Sequence, residues 1–191
     1  MKLYFNKPSP YARKVRVVAH EKSLMESLDL HEVDPWSDPP ELLAVNPLAK
    51  VPALITDDGT LLTESTAIGV FLDNVGRGRK LVDGERWRVM ARVGLAQGLI
   101  DAAFAIVIER RRPAAQQSAD WIARQRRAIA RTLPRVEIPG NRFDLGDITL
   151  ACGLAYMDFR LPEIPWRTDH SDLAHWLDQV NQRPAMRATA A

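Results

Sequence analysis

The secondary-structure signals change character at residues 76–84, and this change constrains the fold more than any other feature of the chain. Before it, strand and helix signals alternate; after it, the signals are helical. Lys2–Phe5 is a β-prone run that stops at Asn6-Lys7-Pro8. Pro10 through Lys22 reads as a helix, with proline at the first helical position, where its missing N–H costs nothing. Leu28–Val33 opens with the apolar–polar alternation of a strand. Ala53–Thr56 and Thr60–Leu62 flank Asp58-Gly59, a dipeptide that accepts the backbone of a tight hairpin turn. Ser65 precedes the apolar run Ala67, Ile68, Val70, Phe71, Leu72 and reads as a helix start. The order β-α-β-α-β-β-α describes a small α/β sheet domain over residues 1–75.

Residues 76–84, GRGRKLVDG, are rich in glycine and charge and read as a linker. Beyond them, Val89, Val93, Ala96, Ile100, Ala103 and Val107 form a stripe at helical spacing that predicts a core-facing helix ending at Pro113. A second helix is expected from Ala114 to about Arg135, ending near Pro139-Gly140, a third from Asp144, and a fourth over Ser171–Gln182. Residues 85–191 therefore read as an all-helical domain. A length of 191 residues accommodates two small domains. Charge follows the same seam, since all six lysines fall within the first 80 residues while 16 of the 20 arginines come later.

Other classes are disfavoured. A formal net charge of +2 argues against nucleic acid as the main partner. The single cysteine, Cys152, excludes an internal disulfide, and in its apolar helical run it reads as a small buried hydrophobe. The four histidines lack metal-ligand spacing, so no metal is expected. The first segment lacks the apolar run of a secretory signal, and the most apolar stretch, GLAQGLIDAAFAIVIE, is too short to span a bilayer. A cytoplasmic location without membrane attachment is the expectation.

Three short motifs carry chemistry. Ser9-Pro10-Tyr11-Ala12 stands where the first strand turns into the first helix. Glutaredoxin-like folds place a Cys-Pro-Tyr-Cys pair at such a junction; with Ser9 and Ala12 in the cysteine positions, dithiol exchange is impossible. What survives is a helix N-terminus, with free N–H groups and partial positive charge suited to a thiolate from another molecule. A simple helix cap is the competing role for Ser9. In Asn46-Pro47-Leu48-Ala49-Lys50-Val51-Pro52, a cis Val51-Pro52 bond would leave the Val51 N–H and C=O outside the sheet, open to an extended peptide. An ordinary strand-initiating proline is the other reading. Lys50 is positioned to meet a carboxylate. At Glu64-Ser65, Ser65 and the following helix N-terminus suit a carboxylate while Glu64 suits an ammonium, together matching an α-amino acid. Helix capping alone would also place a serine there.

In order and spacing, Ser9-Pro10 with Lys14-Val15-Arg16, then Asn46-Pro47…Lys50-Val51-Pro52-Ala53-Leu54, then Glu64-Ser65-Thr66-Ala67-Ile68 resemble the glutathione S-transferase superfamily. The similarity is greatest to short bacterial members with a Ser-Pro-aromatic turn. Asp144-Leu145-Gly146-Asp147 resembles the family's buried capping box, with aspartate in place of the usual hydroxyl residue. The resemblance implies a thioredoxin-like domain over 1–75, a linker over 76–84 and an all-helical bundle domain over 85–191. It implies glutathione as co-substrate and no metal. The γ-glutamyl end would lie at Glu64 and Ser65, the cysteinyl backbone against Val51, the glycyl carboxylate near Lys50 and the thiol at Ser9. The thiolate would attack a small hydrophobic electrophile, or reduce a peroxide or mixed disulfide. A homodimer is implied as well. The alternative is a non-catalytic module of the same fold that serves binding or regulation.

Overall fold

β1 (Lys2–Phe5) is the strand on which the first part of the molecule is built, because it has a partner on both sides. The computed structural model describes residues 1–138 and 143–190. It divides into two units, one formed by Met1–Gly84 with the segment from Arg183 onward, the other by Glu85–Gln182.

In the first unit the sheet order is β2-β1-β3-β4, with β2 over Asp29–Glu32, β3 over Ala53–Ile55 and β4 over Leu61–Thr63. β1 and β2 are parallel, a pairing that needs a crossover connection, and α1 (Pro10–Glu21) supplies it. β3 is antiparallel to both β1 and β4, and Gly59 takes the positive φ of the hairpin turn that Asp58-Gly59 signals. α2 (Pro40–Leu43) is a single turn whose Leu42 is buried with Tyr4, Val33 and Ala53. α3 (Ser65–Val75) packs on α1. This is a thioredoxin-like sheet domain.

Residues 76–84 are tied down rather than loose. Lys22, at the end of α1, and Asp73, in the last turns of α3, are both buried and form an ion pair of 3.0 Å. Each also holds the following segment by its backbone: Lys22 Nζ donates to the Arg79 carbonyl, and the Asp73 carboxylate accepts from the Leu81 and Val82 amides. The chain crosses Lys22 so closely that a Cβ on Gly76 would stand 2.5 Å from the Lys22 Cβ, which explains the glycine. The C-terminal segment, counted with the helical half in the sequence reading, packs on α1 instead. There Arg183 makes a two-pronged pair with Glu21, and Arg13 donates to the Met186 carbonyl in α9 (Pro184–Ala188).

Among its described residues the second unit contains helices and no strand: α4 (Arg86–Glu109), α5 (Ala119–Thr132), α6 (Leu145–Arg160), α7 (Trp166–Asp169) and α8 (Ser171–Val180). α4 has 24 residues and is long and apolar enough to cross a membrane by length and composition, contrary to the expectation that its apolar run is too short. Part of its apolar surface is buried against other helices, however. Val89, Val93, Ala96, Ile100 and Ala103 are buried as their spacing predicts, whereas Val107 of the same stripe is only half-buried; α4 packs against both α5 and α6. α6 approaches closely through Gly153, where a Cβ would lie 3.0 Å from Ile100 Cγ1. The expected second helix is divided: a 3₁₀ turn at Ala114–Gln116, α5 with its N-cap Ser118, and a second 3₁₀ turn at Leu133–Arg135. Pro139-Gly140 lies outside the described residues.

Asp144 caps α6, and its carboxylate accepts from the Gly146 and Asp147 amides while Asp147 accepts from the Asp144 amide. Two neighbouring acids are tolerated because Arg92 of α4 donates to both, at 2.8 Å to Asp147. Burial is the main influence on Asp147. The Asp144 amide and Arg92 oppose it, the Asp144 charge adds to it, and the carboxyl is pushed up to about 6.

Two outcomes are expected. Asp73→Ala leaves the Lys22 ammonium buried without its counterion and should lower the unfolding free energy in urea by about 3–5 kcal/mol; a loss below about 1 kcal/mol would contradict this role. For Asp147, the folded state binds the proton more tightly than the unfolded chain, so its stabilising effect is full at low pH and fades as pH rises to about 6. Relative to Asp147→Asn, the parent should lose on the order of 2 kcal/mol between about pH 4 and about pH 6. The opposite slope in urea melts would show that Arg92 outweighs burial.

Candidate functional site

Ser9 is the N-cap of α1. Its backbone is extended, its carbonyl accepts the Arg13 amide, and its Oγ accepts from the Ala12 amide at 3.2 Å. This cap uses an oxygen lone pair and leaves the O–H available to donate. The hydroxyl is half-buried beside Pro10, whose ring occupies the first helical position.

The second motif is organised by Asn46, which is 1% exposed. Its Nδ2 donates to the Lys50 carbonyl at 2.8 Å, and its Oδ1 accepts from the Leu48 amide at 3.1 Å. Ala49 takes a positive φ inside this loop. The Val51-Pro52 bond is cis. Val51 packs its side chain on the Tyr4–Val33–Leu42–Ala53 cluster, and its backbone precedes the β3 ladder. Among the described residues, neither its N–H nor its C=O takes a backbone partner. The Lys50 side chain is exposed.

At the third motif the structure assigns the cap differently from the sequence reading. Glu64, with φ 72°, is the N-cap of α3, and its carboxylate accepts from the Thr66 and Ala67 amides at 2.9 and 3.3 Å. Ser65 is the first helical residue, is 2% exposed, and donates its hydroxyl to Glu64 at 3.2 Å. The Lys14 ammonium reaches this turn from α1 and donates to Thr66 Oγ1 at 3.0 Å. Burial works against ionisation of Glu64, but the Thr66 amide, the Lys14 charge and the Ala67 amide outweigh it and hold the carboxyl below its ordinary value.

Strand register brings the three motifs to one end of the sheet. Tyr4 is opposite Ala53, and Ala53 is opposite Thr63. Ser9 follows the end of β1, Val51 precedes the start of β3, and Glu64 follows the end of β4. The end of the sheet therefore presents two helix N-termini, of α1 and of α3, and an unpaired stretch of backbone at Val51. That combination suits an extended ligand with anionic groups and a peptide unit.

Comparison with known proteins bears directly on this arrangement. Residues 8–75 match the model of the glutathione S-transferase N-terminal domain, and residues 119–179 match that of the C-terminal domain. The chain is 31% identical to the uncharacterized GST-like protein YibF of Escherichia coli (strain K12), over 99% of this chain and 98% of that protein. The chain belongs to the glutathione S-transferase superfamily. Among solved members of that superfamily, a glutathione transferase family member from Pseudomonas fluorescens Pf-5 with bound glutathione superposes with a TM-score of 0.93. It is 36% identical, with 99% of this chain and 98% of that one covered. The Methylobacillus flagellatus KT glutathione S-transferase with glutathione bound is 33% identical, with a TM-score of 0.88 and coverage of 99% and 98%. The thioredoxin-like sheet with a helical second domain is thus the glutathione S-transferase fold.

Within this fold, sequence reasoning placed Ser9, Lys50, Val51, Glu64 and Ser65 in the site but gave no role to Asn46, Lys14 or Thr66. Asn46 carried a signal, as a residue able to bond its own loop in front of proline. Lys14 carried none, since a lysine on a helix is solvated by default. Because Asn46 satisfies both Leu48 and Lys50, Asn46→Ala should lower stability by about 1–3 kcal/mol in urea melts. An unchanged midpoint would show that the loop holds itself.

Proposed function

We propose that this protein binds glutathione at the end of the sheet and activates its thiol. The reading is carried by the placement of two helix N-termini and the free Val51 backbone around one sheet end. Glutathione lies extended across it, with the cysteinyl backbone paired to Val51. Its glycyl carboxylate lies near Lys50, and its γ-glutamyl head lies at Glu64 and Ser65. Glu64 already takes the Thr66 and Ala67 amides and the Ser65 hydroxyl, so the head's carboxylate is left the Ser65 N–H and takes the Ser65 hydroxyl by drawing it from Glu64, while its ammonium meets the Glu64 carboxylate. The sulfur then reaches Ser9.

A free thiol titrates near 8.5, so little thiolate exists at neutral pH. Lowering the midpoint by about two units requires roughly 2.7 kcal/mol of preferential thiolate binding. A hydrogen bond donated by Ser9 to a charged sulfur supplies about 1.5–3 kcal/mol. The partial positive charge at the α1 N-terminus adds roughly 0.3–1 kcal/mol. The serine hydroxyl stays protonated and donates; it is not a base. The thiolate then attacks a small hydrophobic electrophile, or reduces a peroxide or mixed disulfide. The active form is a homodimer in this proposal, on the pattern of the superfamily. The related proteins with bound glutathione support the ligand.

Thiolate ultraviolet absorbance of the glutathione complex, followed against pH, tests this. The parent complex should titrate one to two units below free glutathione, about the size a charge-assisted bond provides. Ser9→Ala should recover most of that difference and lose about 1 kcal/mol of stability with its cap. Glutathione that binds with its thiol midpoint unchanged would make the protein a non-catalytic binding module. Absence of binding at millimolar glutathione would overturn the proposal.

A further inference from the structure

Lys14 is unlike a surface lysine. It lies on α1, five residues beyond Ser9, and is fully buried. A buried ammonium is costly unless it is paired and hydrogen-bonded. Its Nζ donates to Thr66 Oγ1 at 3.0 Å, in the first turn of the helix that Glu64 caps. The Thr66 hydroxyl accepts from Lys14 and has its own proton to donate; the Thr66 side chain and the Lys14 charge both favour the ionised form of Glu64. Glu64 itself is fixed by the Thr66 and Ala67 amides and by the Ser65 hydroxyl. Lys14 is the foremost charged group acting on it; Ser65, Thr66 and Ala67 supply the remaining contacts from α3.

We infer that Lys14 is a positioning residue whose buried ammonium, hydrogen-bonded to the Thr66 hydroxyl, fixes the first turn of α3 so that Glu64 is held as the receptor for the ammonium of an α-amino-acid head. With Lys14 in place, the turn is fixed and Glu64 stays ionised and aimed at the ligand's ammonium. Without it, the turn loses this hydrogen bond and Glu64 takes up a proton more readily. The inference deepens the glutathione reading and rests on it for the identity of the head.

The experiment has two readouts on the parent, Lys14→Met and Thr66→Val. The first is the carboxyl ¹³C titration of Glu64 in the ligand-free proteins, which needs no ligand. The second is the pH dependence of glutathione binding by calorimetry; the ligand's own titrations are common to all three proteins. Lys14→Met should raise the Glu64 midpoint by about one pH unit or more, the effect of removing a close opposite charge. Thr66→Val should raise it by about half a unit. The acid limb of glutathione binding should move up with the Glu64 midpoint in each variant. Unmoved Glu64 midpoints in folded variants would overturn the inference, as would moved midpoints with an unmoved acid limb. If Lys14→Met fails to fold, Thr66→Val decides by the same criteria. If the midpoints move but the parent binds no glutathione, the coupling of Lys14 to Glu64 stands and the glutathione reading falls.

Discussion

The pairing of β1 with β3, in the register that sets Tyr4 against Ala53, is the constraint on which the candidate site depends. Through Ala53 it also sets Thr63 of β4 in line. A strand slipped by one residue would turn Leu3 and Leu54, both fully buried, toward the opposite face. The core therefore holds the register, and the register holds the turns. The end of β1 leads to Ser9, the start of β3 follows Val51, and the end of β4 leads to Glu64. Residues far apart in the chain reach one place because strands of three or four residues leave little room for variation.

Two buried lysines secure the joints around this sheet, and a half-buried arginine does so within the helical unit. Lys22 and Asp73 fasten the end of α1 to the end of α3 and draw in the segment that follows. Lys14 ties the middle of α1 to the start of α3. Arg92 answers both acids of the α6 cap. Such pairs contribute less net stability than apolar packing, but removal of one member exposes the full desolvation cost of the other. They therefore specify which helix turns meet, more than they add to the total.

What the sequence made legible was whatever is written locally. The hairpin at Asp58-Gly59, the cap at Ser9 and the break in pattern near residue 80 all depend on neighbours in the chain, and their chemistry can be read residue by residue. The buried role of Lys14 and of Lys22 was invisible, because their partners Thr66 and Asp73 are about fifty residues away. The same holds for the segment from Arg183 onward, whose tie to Glu21 spans most of the chain. Glu64 was read as a free ligand group beside a capping serine; its positive φ swings its carboxylate over the amides of α3, and no local propensity announces that. Asp144 replaced a hydroxyl residue without harm because Arg92, distant in sequence, neutralises the pair.

In the proposed function, one end of the sheet receives a single extended thiol tripeptide. A crystal structure of the protein grown with glutathione measures this most directly. The account predicts the ligand sulfur within hydrogen-bonding distance of Ser9 Oγ, its cysteinyl amide paired with the Val51 backbone, and its amino-acid head on Glu64 and Ser65. Glutathione seated elsewhere, or seated there with its sulfur turned away from Ser9, would contradict it.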